Sequence, residues 1–406
     1  MTAGPPTVVH VTTVDMSLEL LLGPQLEAIA AAGYRVLGVS APGPHVEALA
    51  RRGIEHIPLA HATRAMAPAE DARALVELVG LFRRIRPTIV HTHTPKPGVY
   101  GRLAARLARV PVVMNTVHGL FALPEDPWPK RAVVYGLERV AAACSHAELV
   151  ASPEDVSTLR RLRVPADRLT PLVSGLGIDL ARFDPRTVTA ADRVAARRQL
   201  GATGDHDVVV GLVGRLVREK GYPEVFEAAS RLRTRLPQLR VAVVGPDEPG
   251  KADALTTGDR AAAERAGVRF LGPCDDVVRL YAGMDVFVLA SHREGFPLTP
   301  MEASAMGLPV IATQMRGCRQ IVDHGTTGLL VPARDPAALA GAMERLARDP
   351  AERRRLGAAG RRKALDAFDQ RRCVDLTLAT YERLLAARAG VAAPVRAPVA
   401  ARTGAS

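Results

Sequence analysis

Cysteine, aromatic residues and long apolar runs are all scarce in this chain of 406 residues. The four cysteines, Cys144, Cys274, Cys318 and Cys373, form no CxxC or Cys/His spacing, which argues against a disulfide framework and a structural zinc site. Charged residues or glycine interrupt every apolar run before the ~20 residues that a membrane-spanning helix needs. Aromatic residues make up 4% of the chain, which leaves few rings for stacking on nucleic-acid bases. We therefore expect reduced thiols, no transmembrane helix and no nucleic-acid partner.

The first residues and the charge bear on location and partners. The start Met1-Thr-Ala-Gly-Pro-Pro lacks the basic segment of a signal peptide, so we expect a cytoplasmic protein. The formal net charge of +12 predicts attraction to an anionic partner such as nucleic acid, anionic lipid or a diphosphate substrate. Between residues 81 and 124, no acidic residue accompanies the basic ones, which are Arg83, Arg84, Arg86, Lys96, Arg102, Arg106 and Arg109. This stretch indicates either peripheral docking on the inner face of a membrane or an arginine-rich composition.

Short β-branched runs alternate with amphipathic helical stretches along most of the chain, which is typical of βαβ units in a parallel sheet. The predicted strands are 7–12, 34–40, 54–59, 88–93, 111–117 and 147–152, then 208–214, 240–245, 268–272, 285–290, 309–313 and 328–332. This α/β pattern predicts two doubly wound Rossmann-like domains, 1–178 and 207–368, joined by a linker at 179–206. A closing helix at 369–389 and a disordered tail at 390–406 follow. Because ligands bind beyond the carboxyl ends of such strands, we expect the domains to face each other across a cleft where substrates meet.

The first candidate binding segment is Gly214-Arg-Leu-Val-Arg-Glu-Lys-Gly221, which follows an apolar strand and precedes a helix. Arg215 can hold a diphosphate with its planar guanidinium, and Lys220 adds a point charge. The glycines let backbone amides approach phosphate oxygens near the helix start. An exposed basic turn is the alternative interpretation. A Walker A motif is absent, and Gly175-Leu-Gly-Ile-Asp179 lacks the third glycine of a dinucleotide-binding fingerprint, so neither a kinase nor a dehydrogenase is supported.

The second candidate is Glu294-Gly-Phe-Pro-Leu-Thr-Pro-Met-Glu302, where two carboxylates flank a turn between a strand and a helix. Carboxylate oxygens accept hydrogen bonds from sugar hydroxyls, so both residues can bind a sugar. For Glu302 there is a structural alternative, a capping box with Thr299 as N-cap, Pro300 at N1 and Glu302 at N3. Glu294 has no such local explanation, and its position at the carboxyl edge of a strand favours a site.

Histidines form the third candidate group. His118 ends a predicted strand of the first domain and is either structural or catalytic. His91 and His93 share one strand face and suggest a metal pair, but the sequence names no third ligand, so no metal is expected. Asp205-His-Asp207 resembles an acidic metal-binding triplet, yet it precedes a strand, and we interpret it as a polar turn.

In combination, Gly-Arg-Leu-x-x-x-Lys-Gly, the two glutamates separated by seven residues, and Ala-Met-Gly-Leu-Pro-Val-Ile-Ala-Thr resemble the group 1 (family 4) glycosyltransferases over residues 7 to about 385. The segments Val-His-Thr-His-Thr-Pro-Lys-Pro-Gly, Asn-Thr-Val-His-Gly and Arg316-Gly-Cys-Arg319 are similar to the branch that builds capsular and lipid-linked surface glycans. The resemblance implies a GT-B fold and a retaining, metal-independent transferase without a cofactor. Its co-substrate is then a nucleotide-diphosphate sugar.

The resemblance also implies roles for single residues. Gly214, Arg215 and Lys220 would lie at the diphosphate, which the two cations stabilise as a leaving group. Glu294 would contact the donor sugar together with backbone amides of Gly295, Phe296 and Leu298. Glu302 would accept hydrogen bonds from the ribose, and His118 would reach the donor sugar near the reacting carbon. The list of expected catalytic and donor-binding residues is therefore His118, Glu294, Gly214, Arg215, Lys220, Gly295, Phe296, Leu298 and Glu302.

Acceptor and donor identity stay open at this stage. The branch favours UDP and an N-acetylhexosamine or hexose, with a lipid-diphosphate-linked glycan as acceptor; a soluble aglycone is the alternative. The first strand-to-helix loop, Thr12-Thr-Val-Asp-Met-Ser17, lacks the glycine pair of many relatives, so side chains of Thr13 or Asp15 would replace backbone contacts. A nucleotide-sugar 2-epimerase and a non-catalytic nucleotide-sugar-binding protein are the remaining alternatives.

Overall fold

The computed structural model describes residues 5–173 and 175–389, and the predicted disordered tail lies outside them. The chain forms two compact units. Unit 1 contains the chain up to Leu172 and again from Arg371, and unit 2 contains Val173–Gln370. Within the described ranges, no helix is both long and apolar enough to cross a membrane.

Unit 1 is built on a seven-stranded parallel sheet with the order β3-β2-β1-β4-β5-β6-β7. Its strands are β1 Thr7–Val14, β2 Arg35–Ala41, β3 Glu55–Pro58, β4 Ile89–His93, β5 Val112–Val117, β6 Ala147–Val150 and β7 Leu169–Pro171. Its first six helices are α1 Gly23–Ala31, α2 Val46–Arg51, α3 Pro68–Ile85, α4 Pro95–Leu107, α5 Trp128–Ala143 and α6 Pro153–Arg161. A π-helical turn, Ser17–Leu21, precedes α1.

Unit 2 contains a six-stranded parallel sheet with the order β10-β9-β8-β11-β12-β13. The strands are β8 Val208–Val213, β9 Leu239–Val244, β10 Val268–Phe270, β11 Val286–Leu289, β12 Val310–Thr313 and β13 Gly328–Val331. Its helices are α7 Ala190–Gln199, α8 Tyr222–Leu232, α9 Thr257–Arg265, α10 Val277–Gly283, α11 Leu298–Ala305, α12 Cys318–Ile321, α13 Pro336–Arg348 and α14 Pro350–Ala367. The last helix, α15 Gln370–Ala389, runs from the end of unit 2 into unit 1.

Both sheets follow the doubly wound pattern that the alternating apolar runs predict. All twelve predicted strands are confirmed in position. The prediction succeeded because a parallel strand that is buried on both faces consists of a continuous apolar, β-branched run. The strand β4 illustrates this, since all five of its residues are buried. In each sheet the order reverses direction once along the chain, between β1 and β4 in unit 1 and between β8 and β11 in unit 2. Ligand sites of open α/β sheets lie at such switch points, beyond the carboxyl ends of the strands.

The basic residues of the stretch 81–124 are not uniformly exposed. Lys96 donates to the carbonyl oxygens of Thr63 and Ala65 and pairs with Asp71. Arg102 is fully buried. The remaining five arginines are exposed.

Arg102 is the centre of a buried ionic cluster in unit 1. It donates to Glu148 Oε1 at 2.7 Å and to Glu138 Oε1 at 2.8 Å, while Asn115 donates to Glu148 Oε2 at 2.8 Å. Burial raises the pKa of Glu148, and the adjacent guanidinium opposes that rise. The cluster therefore connects α4, α5, β5 and β6 through buried charges, and removal of one of them would leave its partner uncompensated.

We expect Arg102→Ala to lower the free energy of unfolding of unit 1 by about 3–5 kcal/mol, because Glu148 stays buried without its cation. Arg106→Ala, one turn further along α4 at an exposed position, should change it by less than about 0.5 kcal/mol. Urea unfolding followed by circular dichroism measures both variants. Equal midpoints for the two variants would contradict a stabilising role of the cluster.

Candidate functional site

The segment after β8 is held in place by a close backbone approach. Residues Arg218–Lys220 form a 3-10 turn that ends at Gly221, whose φ of +74° lies in the left-handed region. A Cβ atom at Gly221 would lie 2.0 Å from the carbonyl oxygen of Ala290, just after β11. Glycine is therefore required here on both grounds. The turn consequently packs directly against the carboxyl end of β11, across the switch point.

This approach brings the two charged motifs together. Lys220 Nζ lies 2.5 Å from Glu294 Oε1, and Ser291 Oγ donates to the same oxygen at 2.7 Å. Both side chains of the pair are mostly buried, with 23% of Lys220 and 11% of Glu294 exposed. A glutamate and a lysine that are 74 residues apart in sequence thus form one polar pair at the sheet edge.

Arg215 lies on the same loop as Lys220, after β8. Its Nη1 is 3.6 Å from Glu248 Oε1, and a third of the side chain is exposed. Gly214 accepts a 2.9 Å hydrogen bond from the Tyr222 hydroxyl at the start of α8, and burial raises the pKa of that tyrosine. The hydroxyl therefore stays protonated and fixes the loop to the helix.

Two glycines shape the segment that follows Glu294. At Gly175, with a φ of +57°, an added Cβ would lie 2.6 Å from Cδ1 of Phe296. At Gly317, with a φ of +44°, it would lie 2.3 Å from the carbonyl oxygen of Gly295. The segment Gly295–Pro297 thus lies between the loops that contain Gly175 and Gly317. A side chain at either glycine would push its loop away from the segment. The Gly175 motif, which fails as a dinucleotide fingerprint, has this packing role instead.

The predicted capping box at Glu302 is wrong. Helix α11 begins at Leu298 after Pro297, so Thr299 lies inside the helix, and no side chain caps its N-terminus. Glu302 Oε2 instead accepts a 2.7 Å hydrogen bond from the hydroxyl of Tyr281. Burial raises the pKa of Glu302, and the hydrogen bond from Tyr281 opposes the rise. The carboxylate is therefore oriented by a buried donor from α10.

In unit 1 the structure places His118 directly after β5 and adds a residue that sequence reasoning missed. His10 pairs in register with His91 across β1 and β4. Its Nδ1 lies 3.0 Å from His93 Nε2, and His93 Nδ1 lies 3.1 Å from His118 Nε2. His10, His91 and His93 are fully buried, and the candidate ligand atoms of these three rings all lie within 4.8 Å of one another.

Burial governs the protonation of these rings. It lowers the pKa of His10 to about 3 and that of His118 to about 4. The pKa values of His91 and His93 are lowered as well, by burial first and then by the neighbouring histidines. All four rings are therefore neutral near pH 7.

Side chains hold the first strand-to-helix loop, which has no glycine pair. Asp15 Oδ2 accepts a 2.7 Å hydrogen bond from the backbone N–H of His45. The hydroxyl of Thr13 lies 3.1 Å from that of Thr94, at the start of α4. Both side chains thus bind the protein itself. The interpretation of 205–207 as a polar turn is confirmed, because Asp207 accepts from the backbone N–H groups of Thr203 and Gly204.

Of the nine expected site residues, eight lie at the carboxyl edge of the unit 2 sheet or on the helix that follows it, and His118 lies in unit 1. This edge combines two cations with two carboxylates. The cations suit a diphosphate, and the carboxylates suit hydroxyl groups.

Comparison with known proteins agrees with this arrangement. The family model described as "Glycosyl transferases group 1" matches residues 194–363, and that described as "Glycosyl transferase 4-like" matches residues 10–147. The sucrose-phosphate synthase of Thermosynechococcus elongatus superimposes with a TM-score of 0.78 at 25% identity, covering 94% of this chain and all of that one. The fold is therefore GT-B, as the resemblance implied.

Two relatives carry the assignment further. The capsular polysaccharide biosynthesis glycosyltransferase CapM of Staphylococcus aureus is 28% identical over 88% of this chain and 92% of its own length. The UDP-Gal:alpha-D-GlcNAc-diphosphoundecaprenol alpha-1,3-galactosyltransferase of Escherichia coli is 30% identical over 69% of this chain and 71% of its own. With both family models matching in order and such relatives along most of its length, the chain belongs to the group 1 (family 4) glycosyltransferases.

Proposed function

We propose that this glycosyltransferase moves a hexose or N-acetylhexosamine from a UDP-linked donor to a lipid-diphosphate-linked glycan, with retention of configuration and without a metal ion. The observation that carries the proposal is the Lys220–Glu294 pair at the switch point of the unit 2 sheet, with Arg215 on the same loop as Lys220. The Escherichia coli relative is named for a UDP-sugar donor and a diphosphoundecaprenol-linked acceptor, which supports the same classes here.

The first chemical demand is the departing diphosphate, on which negative charge develops. Arg215 and Lys220 are placed to bind it, and the N-terminus of α8 directly after Gly221 adds its dipole. Before the donor binds, Glu294 holds the Lys220 ammonium in position at 2.5 Å. The lysine then needs no rearrangement when the phosphate arrives, which is the advantage of a preorganised cation.

The second demand is recognition of the sugar and the nucleoside. Glu294 and the backbone N–H groups of Gly295, Phe296 and Leu298 serve the sugar hydroxyls. Glu302 accepts from the ribose, with its orientation set by Tyr281. His118 contacts the donor sugar as a neutral imidazole. Retention follows from attack on the same face of the sugar, with the departing phosphate oxygen taking the proton of the acceptor hydroxyl, so the step needs no side-chain base.

We also propose that unit 1 docks on an anionic membrane surface through α5. Three exposed apolar side chains of this helix, Val133, Leu137 and Val140, lie at helical spacing and form an apolar stripe, with 49–62% of each side chain exposed. Trp128, the first residue of the helix, is 77% exposed. Arg139 is also exposed on this helix. An exposed apolar stripe next to basic charge is what an interfacial helix offers to anionic lipid. A lipid-linked acceptor would be delivered at that surface.

The donor site is tested by assaying purified protein with UDP-, GDP- and ADP-sugars, an undecaprenyl-diphosphate-linked acceptor and excess EDTA. We expect transfer from UDP-sugars alone, undiminished by EDTA, with the anomeric configuration of the donor kept in the product by NMR. Lys220→Ala should lower kcat/KM by about 10²–10³-fold, because the leaving-group charge loses a cation. Arg218→Ala is the matched control, since that side chain in the same turn pairs with Asp259. Equal losses in both variants, or transfer to a soluble aglycone alone, would contradict the proposal.

The seat of Phe296 gives a separate prediction. Gly175→Ala should raise the donor KM about tenfold, because the new Cβ displaces the ring and the backbone segment that serves the sugar. Gly201→Ala is the control: its φ of +99° is also positive and strains an alanine, but the new Cβ would meet only Arg269, at 3.5 Å. Thermal stability and steady-state kinetics of both variants separate strain from site damage. An unchanged donor KM in Gly175→Ala would contradict the proposal that the close approach of Gly175 positions Phe296 for donor binding.

Co-sedimentation with vesicles tests the membrane surface. We expect the protein to bind vesicles that contain phosphatidylglycerol and to lose binding in the double variant Val133→Asp with Leu137→Asp, which places charge in the stripe. Val194→Asp, at a comparably exposed valine in unit 2, should bind as the unaltered protein does. Binding that is equal for neutral and anionic vesicles would contradict the electrostatic part of the proposal. Unchanged binding by the double variant would contradict the role of the apolar stripe in membrane binding.

A further inference from the structure

A continuous row of hydrogen-bonding groups runs through unit 1 and ends at His118. From His118 Nε2 it passes to His93 Nδ1 at 3.1 Å, and from His93 Nε2 to His10 Nδ1 at 3.0 Å. His10 Nε2 lies 3.5 Å from the hydroxyl of Tyr381, which lies 2.7 Å from His91 Nδ1. His91 Nε2 then lies 2.7 Å from the hydroxyl of Thr116. The row therefore joins β1, β4, β5 and α15.

The neutral state of the rings imposes a rule on this row. A neutral imidazole has one N–H donor and one acceptor nitrogen, so each ring that accepts at one nitrogen must donate at the other. The buried Tyr381 hydroxyl has one proton, and when it donates that proton within the row, every bond points the same way along it. Two such arrangements exist: all four histidines carry the proton on Nε2, or all four carry it on Nδ1.

The intrinsic preference of a neutral histidine side chain for the proton on Nε2 favours the Nε2–H arrangement. The contacts of the Tyr381 hydroxyl agree with it, because the 2.7 Å contact suits the phenol as donor to His91 Nδ1, whereas the contact with His10 Nε2 is longer at 3.5 Å. The 2.7 Å contact between His91 Nε2 and the Thr116 hydroxyl fits either direction. With the phenol donating to His91, His10 Nε2–H donates to the phenol oxygen. His93 Nε2–H then donates to His10 Nδ1, and His118 Nε2–H donates to His93 Nδ1.

We propose that His93, His10, Tyr381 and His91 are positioning residues that lock His118 in its Nε2–H tautomer and leave Nδ1 as a pure hydrogen-bond acceptor. This rests on the proposed contact of His118 with the donor sugar and makes it more specific. His118 would accept from a sugar hydroxyl, and it would neither donate to a phosphate oxygen nor act as an acid. Its ring nitrogens are distinguished by the partner that each one has, as in other oriented histidines.

A metal ion at the same histidines is the competing use of this cluster. His10, His91 and His93 come close enough together to be considered as ligands. However, all six of their ring nitrogens already have protein partners within 3.5 Å. A bound ion would have to break this row, so the two uses are mutually exclusive and one experiment decides between them.

The experiment is long-range ¹H–¹⁵N correlation NMR on ligand-free, histidine-labelled full-length protein at pH 7, with ring signals assigned by single substitutions. We expect all four rings to show the Nε2–H pattern. In Tyr381→Phe, which removes the linking hydroxyl but keeps the ring, His10 and His91 should show mixed tautomers. Tyr34→Phe is the matched control, because its ring lies 5.7 Å from that of Tyr381 and its hydroxyl is outside the row.

Kinetics adds a readout that a packing defect would not give. Tyr381→Phe should lower kcat about five- to tenfold, the effect of one hydrogen bond, with an unchanged UDP dissociation constant. An Nδ1–H pattern or a mixture at His118 in the unaltered protein would overturn the proposal. So would one equivalent of zinc retained after dialysis and lost in His10→Ala. Since the NMR readout needs no donor, a failure of the proposed transferase activity would be recognised separately.

Discussion

Parallel pairing is the constraint on which the rest of this structure depends. Every strand pair in both sheets is parallel, so each strand-to-helix loop leaves from the same edge of its sheet. Residues far apart in sequence therefore meet at that edge without any contact between their own helices. In unit 2 this places the loop after β8 beside the loop after β11, and in unit 1 it sets His10 in register with His91.

At the unit 2 edge, glycines decide how close these loops come. Gly221 lets the Lys220 turn touch the backbone after β11, while Gly175 and Gly317 enclose the segment at Phe296. The polar groups of the site are consequently positioned by rigid backbone contacts, with few flexible side chains between them. A site that must stabilise a charged leaving group benefits from this arrangement, because little reorganisation is left for the reaction step.

The sequence allowed the strands, both domains' fold class and the charged motifs to be predicted, since these depend on local composition and order. It did not reveal β7, which has only three residues, or α7 and α9, which are polar helices with little apolar periodicity. For α9 a signal existed, the capping box of Thr256 and Asp259. The capping box expected at Thr299 was wrong because the chain after Pro297 already turns into helix at Leu298. His10 was missed because its partnership depends on strand register, which no local pattern encodes.

The return of α15 to unit 1 has a consequence for the order of synthesis on the ribosome. All seven strands of unit 1 are translated before residue 172, yet Thr377, which accepts from Gln25, and Tyr381, which covers His91, follow the whole of unit 2. A nascent chain therefore carries the sheet of unit 1 with its histidines uncovered until the last helix emerges. Unit 1 is finished after unit 2, although its sheet is made first, and polar side chains at the centre of that sheet tolerate water during the wait better than an apolar core would.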